Sequence, residues 1–167
     1  MNEYQRAEYR KTLIHEMGHL AIGHAFGVPI LGLKLFWESR AQSDFALEET
    51  HAAFPYRPWC DIVGKIAVAG VVAEHMSAHA QTSADEIIAD LSTKSRYGDD
   101  YDGALDVLPK PAKADDLCIF VDDVRGMMGP KIRKIVRMAH YLTERRMSDP
   151  RLFVWEIPLE ILVAAVE

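Results

Sequence analysis

The chain has 167 residues, 49% of them hydrophobic, and a formal net charge of −6. That is enough apolar material for one domain with a real core, and the acidic balance argues against a dedicated nucleic-acid binder. No run approaches 18 uninterrupted apolar residues and the N-terminus has no hydrophobic leader-like segment, so a cytoplasmic protein without a membrane partner is expected. Two cysteines, Cys60 and Cys118, are too few for a disulfide framework and read as buried free thiols.

The first expected element is a helix from Tyr4 to Phe26. Leu13, Ile14, Met17, Leu20 and Ala21 make its apolar stripe, Gly27 lies just past its end and Pro29 follows. This helix carries His15-Glu16-Met17-Gly18-His19. Residues four apart share a helix face, so both imidazoles can direct a ring nitrogen at one ion while Glu16 sits beside them. Zinc held by neutral nitrogens lowers the pKa of its water from about 15.7 toward about 7, and a neighbouring carboxylate can take the proton as a carbonyl is attacked. Three fixed positions match by accident in about one chain in a hundred, but the mid-helix setting is the one the chemistry needs. Gly18 costs about 1 kcal/mol relative to Ala, which is tolerable if another element or a substrate approaches the backbone there.

Ile30 to Trp37 then reads as a strand with Leu31, Leu33, Leu35 and Trp37 on one face, and Asp44 to Ala53 as a second, weaker one. A small antiparallel ribbon follows, whose edge could hold an extended substrate or serve packing alone. Pro55-Tyr56-Arg57-Pro58 closes the ribbon, and Trp59 to Ala80 forms a long apolar core helix. Ser83-Ala84-Asp85-Glu86 has capping-box spacing and opens a helix toward Ser95. Gly98 breaks the pattern, Asp99-Asp100 makes an acidic turn, and Tyr101 to Leu108 is a short helix stopped by Pro109. Asp115 to Met128 and the basic stretch Lys131 to Arg151 are further helices, separated by Gly129-Pro130. The charges Lys131, Arg133, Lys134, Arg137, Arg145 and Arg146 read as a solvated face, with a nucleic-acid or partner patch as the alternative. The apolar tail, Arg151 to Glu167, must dock on the body or on another subunit, so self-association is expected. The fold class is mainly α with a small antiparallel β-ribbon: a single domain over 1–167, with a catalytic core at 1–110 and a C-terminal helical part at 111–167.

A catalytic zinc needs a third protein ligand and an open position. His24, His51, Glu74, His75, His79, Asp90, Asp99, Asp100 and Asp102 are the candidates. His24 follows His19 by five residues and points off its face, so it reads as structural, and the metzincin continuation is not met. His51, His75, His79 and His140 read as ordinary surface or core histidines, and Asp102 and Asp106 as the solvated face of the short helix. Glu74 lies on the core helix, where a glutamate would complete a His₂Glu set.

The segment Thr12-Leu13-Ile14-His15-Glu16-Met17-Gly18-His19-Leu20-Ala21 resembles the HEAGHA helix in the peptidase domain of the FtsH family of ATP-dependent zinc proteases. Two later segments agree in order. Ala69 to His75 is similar to that family's AGRAAEE segment, and Gly98 to Ala104 to its SNDLQKA segment. The resemblance runs over residues 10–145 and implies a zincin-like, FtsH-peptidase-like helical domain. In it His15, His19 and Asp100 bind Zn²⁺, Glu16 is the base, and Glu74 is either the rival ligand or the group that holds a ligand histidine. Val71 replaces the family's arginine and His75 its second glutamate. The chain lacks a Walker-type loop and a membrane span, so it is expected to be a stand-alone metalloendopeptidase acting on flexible or unfolded polypeptide, or one supplied by a separate ATPase or adaptor. The alternative is a catalytically silent peptidase-like binding or regulatory module.

Overall fold

The computed structural model describes residues 2–36, 41–45, 55–79, 81–93, 97–148 and 154–167. The protein is mainly helical with a small antiparallel sheet. In chain order the elements are α1 (Glu3–Ala25), β1 (Ile30–Phe36), β2 (Ala41–Phe45), α2 (Tyr56–Ala78), α3 (Ala84–Leu91), α4 (Gly98–Asp106), a 3₁₀ turn (Ala114–Leu117), α5 (Cys118–Met128), α6 (Ile132–Ser148), β3 (Val154–Glu156) and α7 (Leu159–Val166).

Helix α1 starts at a capping box in which the side chains and backbone N–H groups of Asn2 and Gln5 satisfy one another. It ends where Gly27 takes φ of 74°, a left-handed conformation only glycine adopts without strain. Along its length Tyr9, Leu13, Met17, Leu20 and Ala21 are wholly buried, and the principal neighbour of the helix is α2, which runs against α1 through Ala69, Gly70 and Ala73. Gly18 explains how closely the two helices approach. A Cβ there would lie 2.6 Å from the Ala69 carbonyl oxygen and 2.7 Å from the Ala73 Cβ, so the tolerated glycine is the one the crossing requires. Gly18→Ala should gain about 1 kcal/mol of helix propensity and lose about 1–3 kcal/mol to overpacking against a backbone that cannot yield. A net loss in denaturant unfolding of the metal-free protein is expected; a more stable variant would contradict the packing described.

Several boundaries differ from expectation for physical reasons. Helix α2 begins at Tyr56, ahead of Pro58, because the first turn leaves its N–H groups without intrahelical partners and so admits proline. Helix α4 begins at Gly98, so Asp99 and Asp100 stand in its first turn and not in a loop before it. Carboxylates are favourable at that end of a helix, where the dipole is positive. The capping box at Ser83 and Glu86 forms as expected, although α3 closes at Leu91.

The sheet has the order β2-β1-β3, all antiparallel. A register shift between Ile30 and Gly32 breaks the alternation expected for β1: Ile30 and Leu33 are buried while Leu31 is 59% exposed. Strand β2 occupies Ala41–Phe45, earlier than expected, and the rest of the second strand assigned from sequence lies outside the described residues, as do Trp37 and His51. The third strand comes from the apolar tail. It pairs Glu156 with Lys34, and α7 then lays Leu162, Ala165 and Val166 into the core against α1, α6 and β1. The described part of the tail thus docks on its own chain through Ile157, Leu162, Ala165 and Val166, while Leu159 stays 47% exposed.

Within residues 111–167, the described elements α5, α6, β3 and α7 pack directly on α1, α2 and β1. On α6, Arg133, Lys134, Arg137 and Arg145 are exposed as expected, but Arg146 is only 2% exposed and lies against the Tyr9 hydroxyl. The stripe Ile135, Ala139, Leu142 continues at helical spacing to Arg146, which is why this arginine is carried inward. Burial pushes the Tyr9 phenol up to about 12, although the Arg146 guanidinium favours its ionised form. Cys60 and Cys118 are free and half-buried. Among the described residues, no helix is long and apolar enough to cross a membrane.

Candidate metal centre

Helix α1 presents His15 and His19 toward α2 and the first turn of α4. The two Nε2 atoms are 3.0 Å apart, with the imidazole planes crossed at 81°. Asp100 closes the group: its Oδ2 is 3.0 Å from His15 Nε2 and its Oδ1 is 3.6 Å from His19 Nε2. Among the described residues, this is the one cluster of His, Cys, Asp or Glu whose donor atoms could hold a metal ion. Ligands at about 2.0–2.1 Å in a tetrahedron stand about 3.3 Å from one another, so the observed separations of 3.0 to 3.6 Å bracket what zinc requires.

The outer ring nitrogens decide how those inner atoms are charged. His19 Nδ1 is 2.6 Å from the Ile66 carbonyl oxygen, which can only accept, so the ring proton sits on Nδ1 and Nε2 turns a lone pair inward. His15 Nδ1 is 2.9 Å from Glu74 Oε1, another acceptor. Two imidazole lone pairs and a carboxylate therefore converge on one small volume that is largely shielded from water, an arrangement that calls for a positive charge at its centre. In the metal-free chain a proton supplies part of it. Burial opposes an imidazolium at His15, but its contacts with Asp100 and Glu74 outweigh that and raise its pKa to about 9. Asp100 is held below the usual carboxylate range: burial works against this, and the hydrogen bond from His15 with the electrostatic pull of the two imidazoles overcomes it.

Gly70 of α2 forms the floor of the group. A Cβ built there would lie 2.5 Å from His15 Cε1 and 2.6 Å from both Nε2 atoms. The histidines fit only because this residue has no side chain.

Glu74 is 4% exposed and stands on the far side of His15 from Asp100. Its Oε2 lies 3.1 Å from Lys11 Nζ and accepts a hydrogen bond of 2.9 Å from the Tyr97 hydroxyl. Glu16, one residue from His15 and partly buried, is held from the sheet: Ser43 of β2 donates both its backbone N–H and its hydroxyl to Oε2, each at 2.8 Å.

The remaining sequence candidates lie elsewhere. His75 pairs with Asp90 at 2.9 Å, His79 and His140 are exposed, and Asp99, Asp102 and Asp106 face solvent. Gly70, Ser43 and Tyr97 were not singled out from sequence. Of these only Gly70 carried a signal, its place in the Ala69 to His75 segment; Ser43 and Tyr97 come from segments with no motif of their own. In comparison with known proteins, the chain matches no family model, no curated protein and no solved structure.

Proposed function

We propose that this protein is a zinc metallopeptidase of the FtsH-peptidase-like kind, in which His15, His19 and Asp100 hold the metal and Glu16 is the general base. The observation that carries the reading is the convergence of two Nε2 lone pairs and the Asp100 carboxylate, with the outer nitrogen of each histidine facing an oxygen acceptor. Three ligands of this kind leave a position open, which distinguishes a catalytic from a structural zinc site. Bound there, zinc would polarise the scissile carbonyl and acidify water.

The chain's own residues supply the rest. Ser43 anchors one oxygen of Glu16 with two hydrogen bonds, which leaves Oε1 to take a proton from the attacking water and return it to the departing amine. Glu74 holds the His15 tautomer from outside, and its engagement with His15, Lys11 and Tyr97 makes Asp100 the better third ligand. Asp100→Ala should therefore cost more zinc affinity than Glu74→Ala, the latter losing about 10–100-fold as outer partners do. A larger loss for Glu74→Ala in a chelator competition would reverse the assignment.

The substrate in this reading is flexible or already unfolded polypeptide, which can reach the metal in extended form; a separate ATPase or adaptor would extend the range. The decisive experiment is metal content by elemental analysis with casein cleavage on the same sample, before chelation, after it, and after zinc is restored. About one zinc per chain with cleavage that disappears and returns is expected. Protein that takes up no zinc would sink the metal reading. Stoichiometric zinc without cleavage of any unstructured polypeptide would leave a peptidase-like binding module.

A further inference from the structure

We infer that Tyr97 is a positioning residue for His15, the outer clamp that fixes both the plane and the tautomer of this ligand; the inference rests on the metal-site reading above. Tyr97 is 3% exposed and caps the N-terminus of α4, three residues before Asp100. One turn of backbone thus delivers both residues to the same histidine. Asp100 meets its Nε2, while the phenol ring of Tyr97 stacks on the imidazole with centroids 5.6 Å apart and planes 13° from parallel.

The hydroxyl makes the clamp chemical as well as steric. It donates to Glu74 Oε2, the same oxygen that faces Lys11, and so turns Oε1 toward His15 Nδ1. A carboxylate held at one oxygen by a buried phenol and a half-exposed ammonium cannot swing away from the imidazole without giving up both contacts. His15 is thereby held on three sides: by Asp100 at Nε2, by Glu74 at Nδ1 and by Tyr97 on its face. His19 lacks an equivalent, since its outer nitrogen meets a backbone carbonyl that the helix already holds in place.

Tyr97→Phe keeps the stacked ring and removes the hydrogen bond; Tyr97→Leu removes both. Zinc affinity, measured by competition with a chromophoric chelator, should fall about 10-fold in the first variant and toward 100-fold in the second, the range for loss of partners that orient metal ligands. The visible spectrum of the cobalt-substituted protein should shift in Tyr97→Phe, while the melting temperature of the metal-free protein stays within a few degrees. Wild-type affinity within twofold and an unchanged cobalt spectrum in Tyr97→Phe would overturn the clamp and leave the metal centre standing. An affinity loss matched by a lowered melting temperature, with the cobalt spectrum unmoved, would reduce Tyr97 to packing and overturn it too. A wild-type chain that binds neither metal would overturn the reading beneath, a result distinct from either.

Discussion

Glu16→Gln should lower cleavage of casein by about 10²–10⁴-fold, the span usually lost with a positioned general base, and leave zinc stoichiometry unchanged. The substitution is informative because of what it preserves. A glutamine carbonyl oxygen has two lone pairs and can still accept from the Ser43 N–H and hydroxyl, so the contact between α1 and β2 survives. What is lost is the basicity of the free oxygen and the negative charge that goes with it. Activity within 10-fold of wild type would remove Glu16 from the proton transfer, whatever the metal content.

Gly70→Ala should abolish metal uptake at zinc concentrations that saturate the wild type while leaving the chain folded. The added methyl would stand 2.5–2.6 Å from the His15 and His19 rings, well inside contact distance. One of two things must give. Either α2 moves away from α1, which the close approach of Gly18 to Ala69 and Ala73 resists, or the rings swing out, which breaks His15 from Asp100 and His19 from the Ile66 carbonyl. The second costs less to the fold and more to the site. Normal zinc binding by a folded Gly70→Ala protein would show that the histidines are not seated on α2 as described.

The contrast between these two positions shows what was legible in the sequence. The apolar stripe of α1 and the four-residue spacing of His15 and His19 are local properties, and Glu16 comes with them. Asp100 belongs to another helix, and its selection over Glu74 came from the ordered resemblance of three short segments, since helix geometry alone left the choice open. Gly70, Ser43 and Tyr97 act through distances set by packing between elements remote in sequence, which no periodicity reports. Arg146 was legible and misread: the stripe that buries Ile135, Ala139 and Leu142 continues to it, but its charge argued for solvent. Leu31 was missed because a bulge in β1 interrupts the strand's period of two.

The placement of Asp100 has a further consequence. Helix α4 is short, and among its residues only Ala104 is buried outright. Such an element has little core to hold it, and local opening is drawn from segments of this kind. An ion shared between α1 and α4 would act as a clasp on a helix that buries a single residue outright. Amide hydrogen exchange should then divide the protein in two on metal removal, with α1 and α2 as slow as before and the amides of α4 fast.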